Sequence, residues 1–105
     1  RKAIELDKTD GEPYMIIGYL YASSGKDCNV NPLHAKAVLW AAVDKFEQAK
    51  RVDPSMAARA NEMIRDYSKM FPTSEDAFFY NVFEGDTYEV GCWINETTKA
   101  RFSNN

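Results

Sequence analysis

Apolar residues recur at helical spacing through the first two thirds of the chain and at strand spacing near its end. Residues 12–24 read as a first helix. Asp10 or Gly11 can cap it, Pro13 sits in the opening turn where its missing N–H costs nothing, and Gly25 offers a left-handed stop. Asn31-Pro32 repeats the cap-then-proline signal and opens a second helix over 32–52, striped by Leu33, Ala37, Trp40, Ala41, Phe46, Ala49 and Val52. Its middle, Ala37 to Val43, is apolar on every side, as expected of a helix sandwiched between two neighbours. Asp53-Pro54 opens a third helix whose Met56, Ala60, Met63, Ile64, Tyr67 and Met70 keep the helical period until Pro72 and leave one wet face.

From residue 73 the period changes. Thr73-Ser74-Glu75-Asp76 reads as a capped short turn leading into Ala77-Phe78-Phe79-Tyr80, and Glu84-Gly85-Asp86 is a turn cluster. Beyond it Tyr88, Val90, Cys92 and Ile94 alternate with Glu89, Gly91 and Trp93, and Ala100 and Phe102 alternate with Lys99 and Arg101. The pattern predicts a β-hairpin turning at Asn95-Glu96, with Thr97 if the loop is longer. Such a hairpin is marginal alone and must lay its Tyr88/Val90/Ile94 face on something, for which the third helix is the expected surface.

With 105 residues the chain has room for one domain and one modest core, and its 14 aromatics (two Trp, six Tyr, six Phe) exceed what a disordered segment carries. Net charge is −3, so no general positive field attracts nucleic acid. Residues 73–105 hold two basic and six acidic side chains, which accounts for the imbalance. The chain opens at Arg1 and runs directly into a helix-like Lys2-Ala3-Ile4-Glu5-Leu6, so it reads as a piece of a longer protein. No apolar run approaches the roughly 18 residues of a membrane span, and no membrane contact by this fragment is expected.

Small and large side chains also follow a pattern. Tyr14-x-x-Ile17-Gly18-x-x-Tyr21 is followed by Ala42-x-x-x-Phe46-x-x-Ala49 and then Pro54, so that a Gly on one helix and two Ala on its partner allow close antiparallel approach while aromatics fill the flanks. These residues resemble the tetratricopeptide repeat, whose signature runs aromatic, Leu-Gly, Tyr, then Ala-x-x-x-Phe and a closing Pro. Lys2 to Asp7 is similar to the tail of a preceding repeat and is echoed by Gln48 to Pro54, 46 residues later. The family period is about 34 residues, and the excess falls between Gly25 and Trp40. Lys8 stands in place of the first Pro, Tyr14 of the usual Trp, and Ile17 of the usual Leu. Residues 57–72 resemble a capping helix, with Ile64 where the packing Gly would be, and the ending Gly91-Cys92-Trp93-Ile94-Asn95-Glu96-Thr97-Thr98 resembles repeat proteins from Bacteroidetes.

The resemblance implies a mainly α fold: residues 1–9 as the tail of a preceding helix, 10–56 as a TPR-like antiparallel pair with an extended inter-helix loop, 57–72 as the cap, and 73–105 as a short turn and β-hairpin. It implies a fragment of a right-handed α-superhelix that binds a protein or peptide in its concave groove, without catalysis or cofactor, and a setting in the cell envelope or periplasm, with the cytoplasm as the alternative. The residues it places in the groove are Glu12, Met15 and Tyr19 with Ala22 on the first helix, and Asn61, Arg65 and Lys69 with Ala58 on the third. Met15 and Tyr19 suit an apolar peptide better than a terminal carboxylate.

Other residues carry less chemistry. His34 lacks a sequence-adjacent acid–base partner and reads as a surface histidine; it and Cys28 do not complete a zinc ligand set. Cys28 and Cys92 read as separate thiols, Cys92 buried on the apolar strand face, with a disulfide as the alternative in an oxidising compartment. Asn95-Glu96-Thr97 is a glycosylation triplet by pattern alone, and Glu75-Asp76 and Glu84-x-Asp86 read as solvated turn acids. Phe78, Phe79, Tyr80 and Phe83 are expected in the core, with a docking site for a partner as the alternative. Trp93, opposite Val90 and Ile94, is expected to be exposed and to offer a surface for self-association through the hairpin edge.

Overall fold

A computed structural model describes residues 10–25 and 32–103. These are mainly helical, with a small antiparallel sheet near the C-terminal end. In chain order they form α1 (Glu12–Ala22), α2 (Pro32–Val52), a 3-10 turn (Pro54–Met56), α3 (Ala57–Ser68), α4 (Ser74–Phe79), β1 (Thr87–Val90) and β2 (Glu96–Lys99). The segments 1–9 and 26–31, including the proposed preceding tail, the Asn31 cap and Cys28, lie outside the described residues.

Local chemistry sets the helix ends. The Asp10 carboxylate accepts the Glu12 N–H at 3.0 Å, satisfying one of the orphan donors of α1. Asp53 serves two elements. Its carboxylate accepts the Ser55 N–H and hydroxyl at the start of the 3-10 turn, and also the Gly11 N–H at 2.9 Å, 42 residues away. These bonds, Gly11 first, hold the Asp53 carboxyl below the usual carboxylate range. At α4 the expected cap forms as a reciprocal box between Thr73 and Asp76.

α2 is the centre of the packing. Ala37, Val38, Leu39, Trp40, Ala41, Ala42 and Val43 are all buried, so neighbours cover it all round. On one side lies α1, brought close by glycines at seven-residue spacing. A β-carbon at Gly11 would lie 2.7 Å from the Ala49 carbonyl, one at Gly18 would lie 2.6 Å from the Phe46 ring, and one at Gly25 would lie 2.9 Å from the Ala35 carbonyl. The three contacts descend α2 as α1 ascends, which defines an antiparallel pair. The nearest partner of Gly18 is thus the Phe46 ring, set between Ala42 and Ala49 along the same helix. Gly25 does not take the left-handed stop expected of it; α1 ends at Ala22, and Gly25 serves the close approach.

A second side of α2 is covered by α3 through Ala60, and a third by the hairpin. The expected packing of the hairpin on the third helix is thus corrected. The reason is polar as well as apolar. The Trp40 indole N–H donates to the Arg101 carbonyl at 2.6 Å, and the Arg101 guanidinium donates back to the Trp40 carbonyl at 3.0 Å and to Asp44 at 2.8 Å. The Thr98 hydroxyl completes the network by donating to Asp44. Trp40 also meets the Tyr88 ring edge-on. Asp44 and Lys45 stand at the border of the apolar surface of α2, where they meet Arg101 and Glu96.

The hairpin register pairs Val90 with Glu96, so the turn comprises residues 91–95 rather than Asn95-Glu96. Cys92 and Asn95 take positive φ there, 62° and 49°, the conformation a tight turn requires. Val90, Ile94 and Ala100 are buried although only Val90 lies within a strand, and Tyr88 and Thr98 share the inward face.

The Gly18 contact yields a direct test. Phe46 is held edge-on by Tyr19 and stacked by Tyr67, so it has no free direction of retreat. Gly18→Leu is expected to cost about 3 kcal/mol by overpacking, measured as a lowered denaturant midpoint; an unchanged midpoint would remove the close-packing account.

Candidate functional site

Beside α2, the first and third helices flank a shared surface. Beneath it lies Phe46, fully buried, with the Tyr19 ring of α1 at 5.4 Å and the Tyr67 ring of α3 at 5.8 Å. Above it the Arg59 guanidinium reaches Glu12 at 3.6 Å, with both side chains about half exposed. The Tyr19 side chain first, then the Glu12 charge, raise the Arg59 pKa above its ordinary value. This surface therefore combines a tyrosine with a half-exposed cation and carboxylate, groups that can hydrogen-bond and stack.

The predicted groove residues fall on several sides of the molecule. Glu12 and Tyr19 lie on this surface. Met15 does not: at 0% exposure it belongs to the core, because it lies on the flank of α1 that turns toward α2. Asn61 accepts from Lys50 of α2 at 2.6 Å, so it faces the opposite flank of α3. Arg65 and Lys69 are exposed, as is Ala58, and Ala22 is half-buried. Arg59 is the residue that sequence reasoning missed. Its helical phase, two positions before Asn61, places it on the α1 side, and only the crossing of α1 over α2 reveals which side that is.

A second polar cluster joins α1, α2 and the hairpin. The Tyr21 hydroxyl donates to the Glu96 carboxylate at 2.8 Å, and Lys45 reaches the same oxygen at 3.1 Å. Burial and the Glu96 bond push the Tyr21 phenol up to about 12. Burial pushes the Glu96 carboxyl up, but the Tyr21 and Lys45 hydrogen bonds and the Lys45 charge outweigh it and leave the group lowered. Each partner thus favours a neutral phenol beside an ionised carboxylate.

His34 is buried, not a surface residue, and its Nδ1 lies 2.9 Å from the Tyr88 hydroxyl in a hydrogen bond. Burial also raises the Tyr88 pKa. The expectation of a buried Cys92 thiol is corrected: Cys92 is exposed in the 91–95 turn and is disulfide-bonded, while Cys28, the other cysteine of the chain, lies outside the described residues. Trp93 is 55% exposed yet engaged, its indole N–H donating to Ser24 at 3.1 Å and its ring meeting Tyr21 edge-on. Among the described residues no group of three or more His, Cys, Asp or Glu could hold a metal ion, and no helix is long and apolar enough to cross a membrane.

No family model matches the chain, and none of the curated proteins or solved structures compared with it does.

The Tyr21–Glu96 pair makes stability fall at high pH. A phenol raised from 10 to about 12 stabilises the fold fully below pH 10, and that contribution is lost as pH rises toward 12. Near-UV titration should therefore show a late tyrosinate component that disappears in Tyr21→Phe; its persistence would assign the late component elsewhere. Breaking the disulfide by Cys92→Ser should lower stability by about 2–4 kcal/mol, and an unaltered unfolding midpoint would mean that the bridge constrains little.

Proposed function

We propose that this chain is a noncatalytic protein-interaction module of tetratricopeptide-repeat type, holding a segment of a partner on the surface shared by α1 and α3. The observation that carries this reading is the convergence of Tyr19, Glu12 and Arg59 from two different helices over the Phe46 ring. A cation, a carboxylate and a phenol there can satisfy the backbone and polar groups of an extended segment, while the tyrosine faces receive its apolar side chains. The antiparallel α1–α2 pair, the glycine-to-Phe46 contact and the following α3 support a helical-repeat architecture, and the exposed Asn61, Glu62, Arg65 and Asp66 support reading α3 as a terminal cap. On this reading the inner-surface residues are Glu12, Tyr19 and Arg59, rather than Met15 and Asn61. Self-assembly through Trp93 receives less support, since its ring and N–H are engaged by Tyr21 and Ser24 within the same chain.

The test is selection from a random peptide library, followed by binding to a variant carrying Tyr19→Phe and Arg59→Glu. These changes keep the aromatic rings and alter only exposed polar atoms. Selected peptides should lose at least about tenfold in affinity, roughly 1.4 kcal/mol, while the melting temperature stays within a few degrees. Peptides that bind the variant equally well would refute this assignment.

A further inference from the structure

The expectation that Phe78 and Phe79 lie in the core is overturned. α4 buries only Ala77, while Phe78 is 68% exposed, Phe79 82%, and Phe83, just beyond the helix, 48%. Phe78 and Phe83 meet edge-on at a ring-centroid distance of 5.8 Å, and Phe79 similarly meets Tyr80 at 5.1 Å, so the aromatics form an ordered surface cluster. Exposing three neighbouring phenylalanines costs solubility and contributes little to the fold, which marks the cluster as an interaction surface.

Two hollows flank α4. One, of about 410 Å³, lies between Phe79 and the start of α2 at Leu33 and Lys36. The other, of about 260 Å³, lies between Phe78 and Phe102 with Val82 at its base. Glu75, one turn before both phenylalanines, borders both hollows. From Met70 to Thr98 the chain carries Glu75, Asp76, Glu84, Asp86, Glu89 and Glu96 and neither Lys nor Arg. Asp76 is occupied by the cap and by Lys36 at 4.0 Å, and Asp86 accepts the Phe83 N–H, whereas Glu75 and Glu84 stand exposed beside the rings.

We propose that the α4 face docks a cationic amphipathic helix of a partner protein, its apolar side chains entering the two hollows and a Lys or Arg between them meeting Glu75. The charge pattern selects this occupant. The one cation lining the hollows, Lys36, already faces Asp76 at 4.0 Å, so a second copy would bring this face more carboxylates than cations, and an anionic bilayer would meet the same carboxylates. A basic helix instead gains from both the rings and the acids.

The experiment titrates the full chain with a synthetic helix built of Leu/Lys heptads, and separately with the same peptide carrying Glu for Lys. Chemical-shift changes should fall on residues 74–83 and Phe102, weaken with added salt, and be absent for the Glu peptide. Phe78→Ser with Phe79→Ser should weaken binding at least about tenfold, roughly 1.4 kcal/mol, and Glu75→Lys should do the same without removing any apolar surface. Circular dichroism checks that each variant keeps its helices, as their exposure predicts. Equal binding of the Glu peptide, shifts confined to the α1/α3 surface, or affinity unchanged in both variants would overturn the proposal. So would concentration-dependent dimerisation abolished by the Phe78/Phe79 changes, which would give the surface to a second copy.

Discussion

A helix that is apolar on all sides must be enclosed, and α2 imposes that requirement on every other described element. Ala37 to Val43 leave no face for water. Each neighbour meets the requirement by a different means. α1 approaches through glycines, with Phe46 filling the space that the missing side chains leave. α3 contributes Ala60 and stacks Tyr67 on the same Phe46. The hairpin contributes Val90, Ile94 and Ala100, and holds its position by the reciprocal Trp40–Arg101 hydrogen bonds. Because the indole N–H and the facing carbonyls are mutually satisfied, burying Trp40 leaves that donor without a desolvation penalty.

The arrangement separates stability from recognition. Phe46, Met15 and Trp40 are inside, while Glu12, Arg59 and the upper edge of Tyr19 stay reachable along one side, and Phe78, Phe79 and Phe83 along another. Both surfaces lie on elements held by residues of the one buried core, Ala60 and Ala77 among them. Exposed side chains can therefore vary without altering the contacts that hold their helices.

Much of the helical part was readable from pattern. The bounds of α2 and the start of α1 follow from Asp10, Pro13 and Pro32, and the Thr73/Asp76 cap was visible as a local motif. These are signals carried by neighbouring residues. What pattern did not carry was which side of a helix meets which partner. Asn61 and Arg59 differ by two positions and so lie on nearly opposite sides of the helix, and only the placement of α1 tells which of those sides faces it. The hairpin shows the same limit. Alternation located β1, but the positive φ values at Cys92 and Asn95 shift the turn upstream, and the destination of the hairpin depends on Asp44 and Lys45, some fifty residues away in sequence. The phenylalanines of α4 are a different case: composition argues for burial, and a six-residue helix with one inward position cannot supply it.

The seven-residue glycine spacing has a mechanical corollary. Only Gly18 lies within α1; Gly11 and Gly25 bracket it, and the three face one ring and two carbonyls, so the notches are not interchangeable and a slide of one interval would set a carbonyl where the Phe46 ring belongs. Two further polar contacts stand at the ends of α1: the Asp53 carboxylate on the Gly11 N–H, which ties it to the segment after α2, and the Trp93 indole on Ser24, which ties it to the hairpin. The helix therefore has one alignment, set by shape in its middle and by polar contacts at both ends.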